Sequence, residues 1–590
     1  MFGRRIVAFL PVRFSRRSAH SYVHGTSLHP LLYETIGARF HAAVEAAPDR
    51  TLYVFDHQNV RKTYAEAYAD ARRLACVMVE LGLRPGDRVG IWGPNNYEWV
   101  TCHMASAIAG LVQVNINPSY QSEELRFALQ KVGVRCLITP RAHKRSDYLR
   151  TLHDVIPELA TAKHGSGNVR CRGLPDLQHI VLFGEEKEAR GVWRYEELMG
   201  GIGSSSEHRL KEIEEGVRAD DPVNIQYTSG TTGNSKAAML THHGLLNNAH
   251  FQGLRSRYDH GRHIICIPCP LFHCFGSVCG VLNALSHRQT AVFPDAGFNP
   301  LRTLEVVAAE RCTSLYGTPT MFIDMLAHLD EIRERGLSVA SLNAGYISGA
   351  PCPVALCDRL VNELGMRNLT VMYGATEMSP VATMSRLDQP SAERIRNVGY
   401  VMDHVELAVV DEEGQVVPRG TAGELLARGY CIMRGYYEDE ERTRAELTPD
   451  RWYHTGDAAS IAEDGAVSIV GRTKDMIIRG GENIYPTEIE QFLFKIDGVA
   501  DAHVIGVPDD RMGEAVCAWI RLREGVTTLT PETIKDACRA KITHYKVPKY
   551  VLIKQEADFP LTATGKVKKS ELRLISMKEL GMVHVHSQFN

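Results

Sequence analysis

The stretch TYAEAYADARRLACVMVELG, residues 63–82, places apolar side chains at Ala67, Ala71, Leu74, Ala75, Met78 and Leu81. This is the period of an amphipathic helix, and Gly82 supplies its stop. RPGD then turns the chain into the short apolar run VGIW, and a second helical stretch opens near Tyr97. Further short runs, VRCLIT, HIVLF and TAVF, keep alternating with helical segments. Strands lying side by side under covering helices bury both patterns at once, so the chain is predicted to be α/β with helices on both faces of its sheets.

The chain has 590 residues, and a single core stops growing beyond roughly 250 to 300 residues, so two or more domains are expected. GSGNVRCRG and GGIGSSSEH read as surface loops. After about Asp403, strand-like pieces alternate with DEEG, EDG and Gly-rich turns. From Met476 onward a compact α+β module is predicted, with the strand AHVIGV and the helix TEIEQFLFKI opening on a capping box of Thr487 and Glu490.

Composition narrows the class. Hydrophobic residues make up 44% and charged residues 23%, the formal charge is -3, and no basic run in the body of the chain suggests a nucleic-acid partner. The most apolar segment, IICIPCPLFHCFGSVCGVLNAL, is broken by Pro268, Pro270 and His273, so no transmembrane segment is predicted. The 14 cysteines are irregularly spaced, as reduced, buried thiols would be. Cys266, Cys269, Cys274 and Cys279 surround His273 and contain a C-x-x-C, but apolar flanks and the lack of a second C-x-x-C favour core cysteines over zinc. Residues 1–25 carry Arg4, Arg5, Arg13, Arg16 and Arg17 and no acid, the pattern of a mitochondrial presequence, with a disordered basic tail as the alternative.

TSGTTGNSK, comprising Thr228, Ser229, Gly230, Thr231, Thr232, Gly233, Asn234, Ser235 and Lys236, crowds hydroxyls and glycines ahead of a lysine. It is not a Walker A loop, because its glycines are too close together and Ala237 stands where a metal-binding hydroxyl belongs. VNIQY before it and AAML after it look like strands, so the loop joins two strands and can wrap phosphates with hydroxyls, amides and one cation.

Four more segments follow in order: YGATE from Tyr373, YHTGD from Tyr453, GRTKDMIIRGGENIYPTEIE from Gly471, and PLTATGK from Pro560. With the loop, they resemble the adenylate-forming superfamily of acyl-CoA synthetases, firefly luciferases and peptide-synthetase adenylation domains, over residues 42–578. PCPLFHCFGSV, LYGTPTMF, KDMIIRGGENIYP and PDDRMGE look most like mitochondrial medium-chain acyl-CoA synthetases.

The resemblance implies a large multi-sheet N-terminal domain, residues 26–473, and a small mobile α+β C-terminal domain, residues 474–590, hinged at Lys474. It implies ATP, Mg²⁺ and CoA, with a fatty acid as the other substrate. Thr228 to Lys236 would hold the pyrophosphate portion of ATP, Tyr373 would stack on adenine, Thr376 would bond the α-phosphate and Glu377 would bind Mg²⁺. Gly349, Ala350 and Pro351 match the segment lining the adenine pocket; Asp457 and Arg472 would hold the ribose. Lys566 would bridge the α-phosphate and the attacking carboxylate. Gly480 and Gly481 would then face the CoA arm after rotation at Lys474, and His273 matches the aromatic gate beside the acyl group, a core histidine being its alternative.

Two residues depart from the family loop, T-S-G-T-T-G-x-P-K-G: Ser235 replaces proline and Ala237 replaces glycine. Loop rigidity, and with it ATP KM, is expected to differ. The implied activity is an ATP-dependent fatty acid:CoA ligase of the mitochondrial matrix. Its alternatives are an adenylating enzyme with another acyl acceptor and a non-catalytic lipid-binding homologue. Neither chain-length preference nor oligomeric state is legible in the sequence.

Overall fold

The computed structural model describes residues 19–582 except 145, 166, 168, 185–188, 202–203, 229–234, 481, 540 and 563–565. The fold is mixed α/β, with a large multi-sheet N-terminal domain and a small C-terminal domain. The helix Tyr64–Glu80 buries Ala67, Ala71, Leu74, Ala75 and Met78. Its start is fixed by a reciprocal cap: the Thr63 hydroxyl accepts from the Glu66 amide at 3.2 Å and the Glu66 carboxylate accepts from the Thr63 amide at 2.8 Å.

Three large sheets and a two-stranded ribbon, Ala142–His143 with Ser146–Asp147, build the large domain among the described residues. In an eight-stranded sheet the central strands run parallel, but Pro222–Thr228 pairs antiparallel with Lys236–Thr241, so Thr228 and Lys236 lie side by side. In a nine-stranded sheet, Ser314–Gly317, Ala344–Ile347 and Asn368–Gly374 lie parallel and in sequence order. In a five-stranded antiparallel sheet, Tyr453–Ile461 lies between Gly423–Gly429 and Val467–Arg472. Each sheet therefore delivers one of the recognisable motifs. The small domain is a further five-stranded sheet centred on Val499–Asp509 and Gly513–Leu522, with the helices Pro486–Leu493, Pro531–Arg539 and Lys569–Glu579.

Several local expectations are corrected. GGIGSSSEH is not loop throughout, because a helix begins at Ser204 and runs to Gly216, burying Leu210. The Thr487 and Glu490 capping box does not form. Pro486 starts the helix one residue earlier, as proline does at a first helical position, and buried Glu490 instead accepts from the Val504 amide at 2.8 Å and from Lys569 at 2.6 Å. Residues 22–24 form an edge strand on Val405–Val410, with the Ser21 amide bonded to the Val417 carbonyl and the Gly25 amide to the Val405 carbonyl, both at 2.8 Å. The end of the segment read as a presequence is thus part of the five-stranded sheet, while residues 1–18 lie outside the described residues.

Small and large domains meet directly. Gln491 donates to the Cys352 carbonyl at 3.3 Å, and Arg521 approaches Asp324 at 3.6 Å while pairing with Glu556 at 2.7 Å. Between them is a cavity of about 650 Å³ whose wall includes Phe272, Met321, Asp324, Arg521, Phe559 and Thr562.

Candidate active site

Thr228 and Lys236 are register partners on the two strands flanking the hydroxyl-rich loop. Ser229, Gly230, Thr231, Thr232, Gly233 and Asn234 lie outside the described residues; Ser235 lies with its hydroxyl 3.5 Å from that of Tyr120. Ala237 is no part of the loop. It sits in the strand Lys236–Thr241 opposite Tyr227, with only 1% of its surface exposed, so alanine replaces glycine where the backbone is extended.

The YGATE segment ends a strand of the nine-stranded sheet and enters a short 3₁₀ turn, Thr376–Met378. Thr376 and Glu377 are buried. The Glu377 carboxylate accepts from the Thr228 hydroxyl at 3.0 Å, tying this sheet to the eight-stranded one. Thr376 lies 3.8 Å from the Cys274 sulfur. Gly349, with φ +88°, Ala350 and Pro351 follow the neighbouring parallel strand, and Ser348 donates to the Met372 carbonyl at 2.9 Å, so this loop stands beside Tyr373. Carboxyl ends of parallel strands are where such sheets admit ligands.

The five-stranded sheet supplies Asp457 and Arg472 as direct cross-strand partners. The buried Asp457 carboxylate is held by Arg472 at 3.0 Å and by the Tyr373 hydroxyl at 2.6 Å. Burial, and then the Asp457 charge, push the Tyr373 phenol well above its ordinary range. One carboxylate thus joins Tyr373 to Arg472.

Lys566 lies in the field of this group. It keeps solvent contact, yet the protein around the cleft desolvates its ammonium, and with Arg472 repelling it the pKa falls to about 8; Asp457 and Asp475 oppose the shift. Lys566 also acts on His273, whose imidazole is pushed down to about 4, chiefly by desolvation, and is neutral at pH 7. His273 precedes a π-helical segment, Phe275–Leu282, and its Nδ1 accepts from the Phe275 amide at 3.2 Å. Phe272 and Val567, the sequence neighbours of His273 and Lys566, line the interdomain cavity from the large and the small domain. Cys266, Cys269, Cys274 and Cys279 are buried, and burial raises the Cys274 thiol to about 12.

Lys474 occupies the turn Thr473–Asp475; desolvation and then Arg472 lower its pKa, and Lys236 and Asp457 also act on it. Gly480, with φ +60°, forms the exposed turn between Ile477–Arg479 and Glu482–Ile484, and a Cβ there would meet the Met512 methyl. Its conformation alone calls for glycine. Gly481 lies outside the described residues.

Two participants were not legible in the sequence. Tyr436, in RGYYED, places its hydroxyl 3.0 Å from Glu377 and 2.5 Å from Glu446, and Glu446 forms an ion pair with Lys236. A tyrosine after glycine is a faint signal; Glu446 has none, being one of 70 acidic residues.

The family model of AMP-binding enzymes matches residues 40–437, and that of the AMP-binding enzyme C-terminal domain matches residues 488–566. The chain is 44% identical to the mitochondrial medium-chain acyl-CoA ligase ACSF2 of Danio rerio over 95% of this chain and 91% of that protein. It is 38% identical to the protein of the same name from Homo sapiens, covering 94% and 89%, and 38% identical to the putative acyl-CoA synthetase YngI of Bacillus subtilis, covering 92% and 97%. Among solved structures, ATP-bound MatB from Rhodopseudomonas palustris superposes with a TM-score of 0.76 at 26% identity over 93% of this chain and 100% of that one. The anthranilate CoA ligase AuaEII with anthranoyl-AMP gives 0.79 at 22% identity over 94% and 99%, a likeness of fold. The chain belongs to the AMP-binding enzymes.

Proposed function

We propose that this chain is an ATP-dependent acyl-CoA synthetase that joins a medium-chain fatty acid to CoA through an acyl-adenylate, releasing pyrophosphate and then AMP. The observation that carries the reading is the meeting of three sheets and the small domain around one cleft: Glu377 with Thr228, Asp457 with Arg472 and Tyr373, and Lys566 in their field.

A carboxylate has no good leaving group for acyl transfer. In the first step its oxygen attacks the α-phosphorus of ATP and the bond to pyrophosphate breaks. That step brings anions together, so it needs fixed positive charge more than a base. Lys566 bridges the α-phosphate and the carboxylate, and Thr376 donates to the α-phosphate. Lys236 and the TSGTTGNSK loop receive the departing pyrophosphate. Asp457 accepts from the ribose hydroxyls with Arg472 alongside, while Tyr373 and the Gly349–Pro351 loop border the adenine. Glu377 and Thr228 offer the hard oxygen donors that suit Mg²⁺, which would supply charge neutralisation on the phosphates.

In the second step the CoA thiol gives up its proton to solvent, its sulfur attacks the adenylate carbonyl, and the bond from that carbonyl to AMP breaks. Rotation at Lys474 carries Lys566 away and brings the Gly480–Gly481 turn towards the CoA arm. Neutral His273 gates the acyl carbonyl without adding a cation beside it. The relatives' names support a mitochondrial location, with residues before Ala19 as the import signal to the matrix.

The test is a series of carboxylates from acetate to palmitate, assayed for AMP formation with and without CoA. A maximum at middle lengths that needs CoA for turnover is the expected result. Turnover with another acceptor, or none with any fatty acid, would overturn the reading.

A further inference from the structure

Lys236 is not a free cation waiting for phosphate. Its ammonium pairs with Glu446, lies 5.2 Å from the centre of the Tyr436 ring, and keeps only 15% of its side chain exposed; that of Glu446 is 24% exposed. A nucleotide whose phosphates take Lys236 therefore has to take it from a half-buried carboxylate, and that carboxylate is left without a counter-charge beside an incoming anion.

Tyr436 offers the way out. Its hydroxyl lies within hydrogen-bond reach of both Glu446 and Glu377, yet it has one proton and can serve one carboxylate at a time. Burial and the nearby Glu377 charge keep that phenol protonated at neutral pH. When Lys236 leaves Glu446, the Tyr436 proton can be given wholly to Glu446, because Glu377 keeps the Thr228 hydroxyl as a donor.

We propose that Glu446 is a counter-ion latch on Lys236 and Tyr436 its relay, so that triphosphate and pyrophosphate bind by exchanging one anion for another. Glu446 is a positioning residue that sets phosphate affinity without touching the reacting atoms. The proposal rests on the reading that Lys236 meets the nucleotide phosphates.

The experiment is binding of MgATP and of inorganic pyrophosphate by calorimetry, with steady-state KM values, on the full chain and on E446Q, E446A, Y436F and K236A. E446Q keeps the shape and loses the charge. It is expected to tighten ATP and pyrophosphate by about 3- to 10-fold, the scale of one half-buried charge contact, with the KM for fatty acid and for CoA unmoved. E446A, should E446Q fold poorly, is expected to move affinity the same way. Y436F strands Glu446 after the exchange and is expected to weaken both ligands by a similar factor. In a K236A background E446Q is expected to have a smaller effect, because no ion pair then has to be broken. Weaker or unchanged ATP binding in E446Q and E446A, with K236A still impaired, would overturn the latch and leave the phosphate role of Lys236 standing. ATP binding unaffected in K236A would remove that role and the latch with it.

Discussion

The hydroxyl of Tyr373 donates to the Asp457 carboxylate at 2.6 Å, linking a strand end of the nine-stranded sheet to the five-stranded sheet. Arg472 holds the other carboxylate oxygen. Asp457 is therefore both the carboxylate that accepts from its two neighbours and the charge that offsets Arg472 and Lys566. D457N is expected to raise ATP KM by about tenfold or more, on the scale of losing a charge-assisted bond. It is also expected to move the alkaline limb of the adenylation rate to lower pH, because the Asp457 charge holds the Lys566 pKa up. A pH profile of pyrophosphate exchange checks both.

Desolvation, and then Arg472, bring the Lys566 pKa down to about 8. Its lowered value means that the charged form is complete at acid and neutral pH and is lost as pH rises through about 8. Carboxylate-dependent kcat/KM for ATP, which reports the free enzyme, is expected to fall above that pH. K566R is expected to shift the limb upward, arginine staying charged. K566A should abolish pyrophosphate exchange while sparing thioester formation from preformed adenylate.

Domain docking carries its own titration. Burial between the domains, and then Glu556, raise the Asp324 carboxyl to about 6 against Arg521. A raised acid pKa means that the docked state binds the proton more tightly, so docking is favoured at low pH and that contribution is lost as pH rises through about 6. Small-angle scattering from about pH 4 to 6, between the ordinary carboxyl value and the docked one, is expected to show opening with rising pH, and D324N to remove the dependence.

Ala237 lies in a strand, so A237G is expected to destabilise the fold by about 0.5–1 kcal/mol through backbone entropy and to leave ATP KM within twofold. Denaturant unfolding and steady-state kinetics separate the two effects. A large fall in KM would restore the view that this position belongs to the loop.

Removal of residues 19–25 is expected to lower Tm, because Tyr22–His24 is hydrogen-bonded into the five-stranded sheet. Amino-terminal sequencing of the imported protein is expected to find its first residue at or before Ala19.

The sequence alone determined the α/β class, through the helical period of residues 63–82 and the apolar runs between helices, and it singled out Glu377, Asp457, Arg472 and Lys566 through the motifs that hold them. Those features are local: a period, a turn, a short run of residue types. Tertiary structure decided what local pattern cannot carry. It placed Ala237 in a strand and gave Glu490 to Val504 and Lys569 in place of a helix cap. It joined Tyr373 to Asp457 across 84 positions, and Lys236 to Glu446 across 210. The physical reason is that hydrogen bonds and ion pairs depend on distance in space, which sheet pairing and domain docking set, and a carboxylate such as Glu446 looks the same in sequence whether it faces water or a lysine.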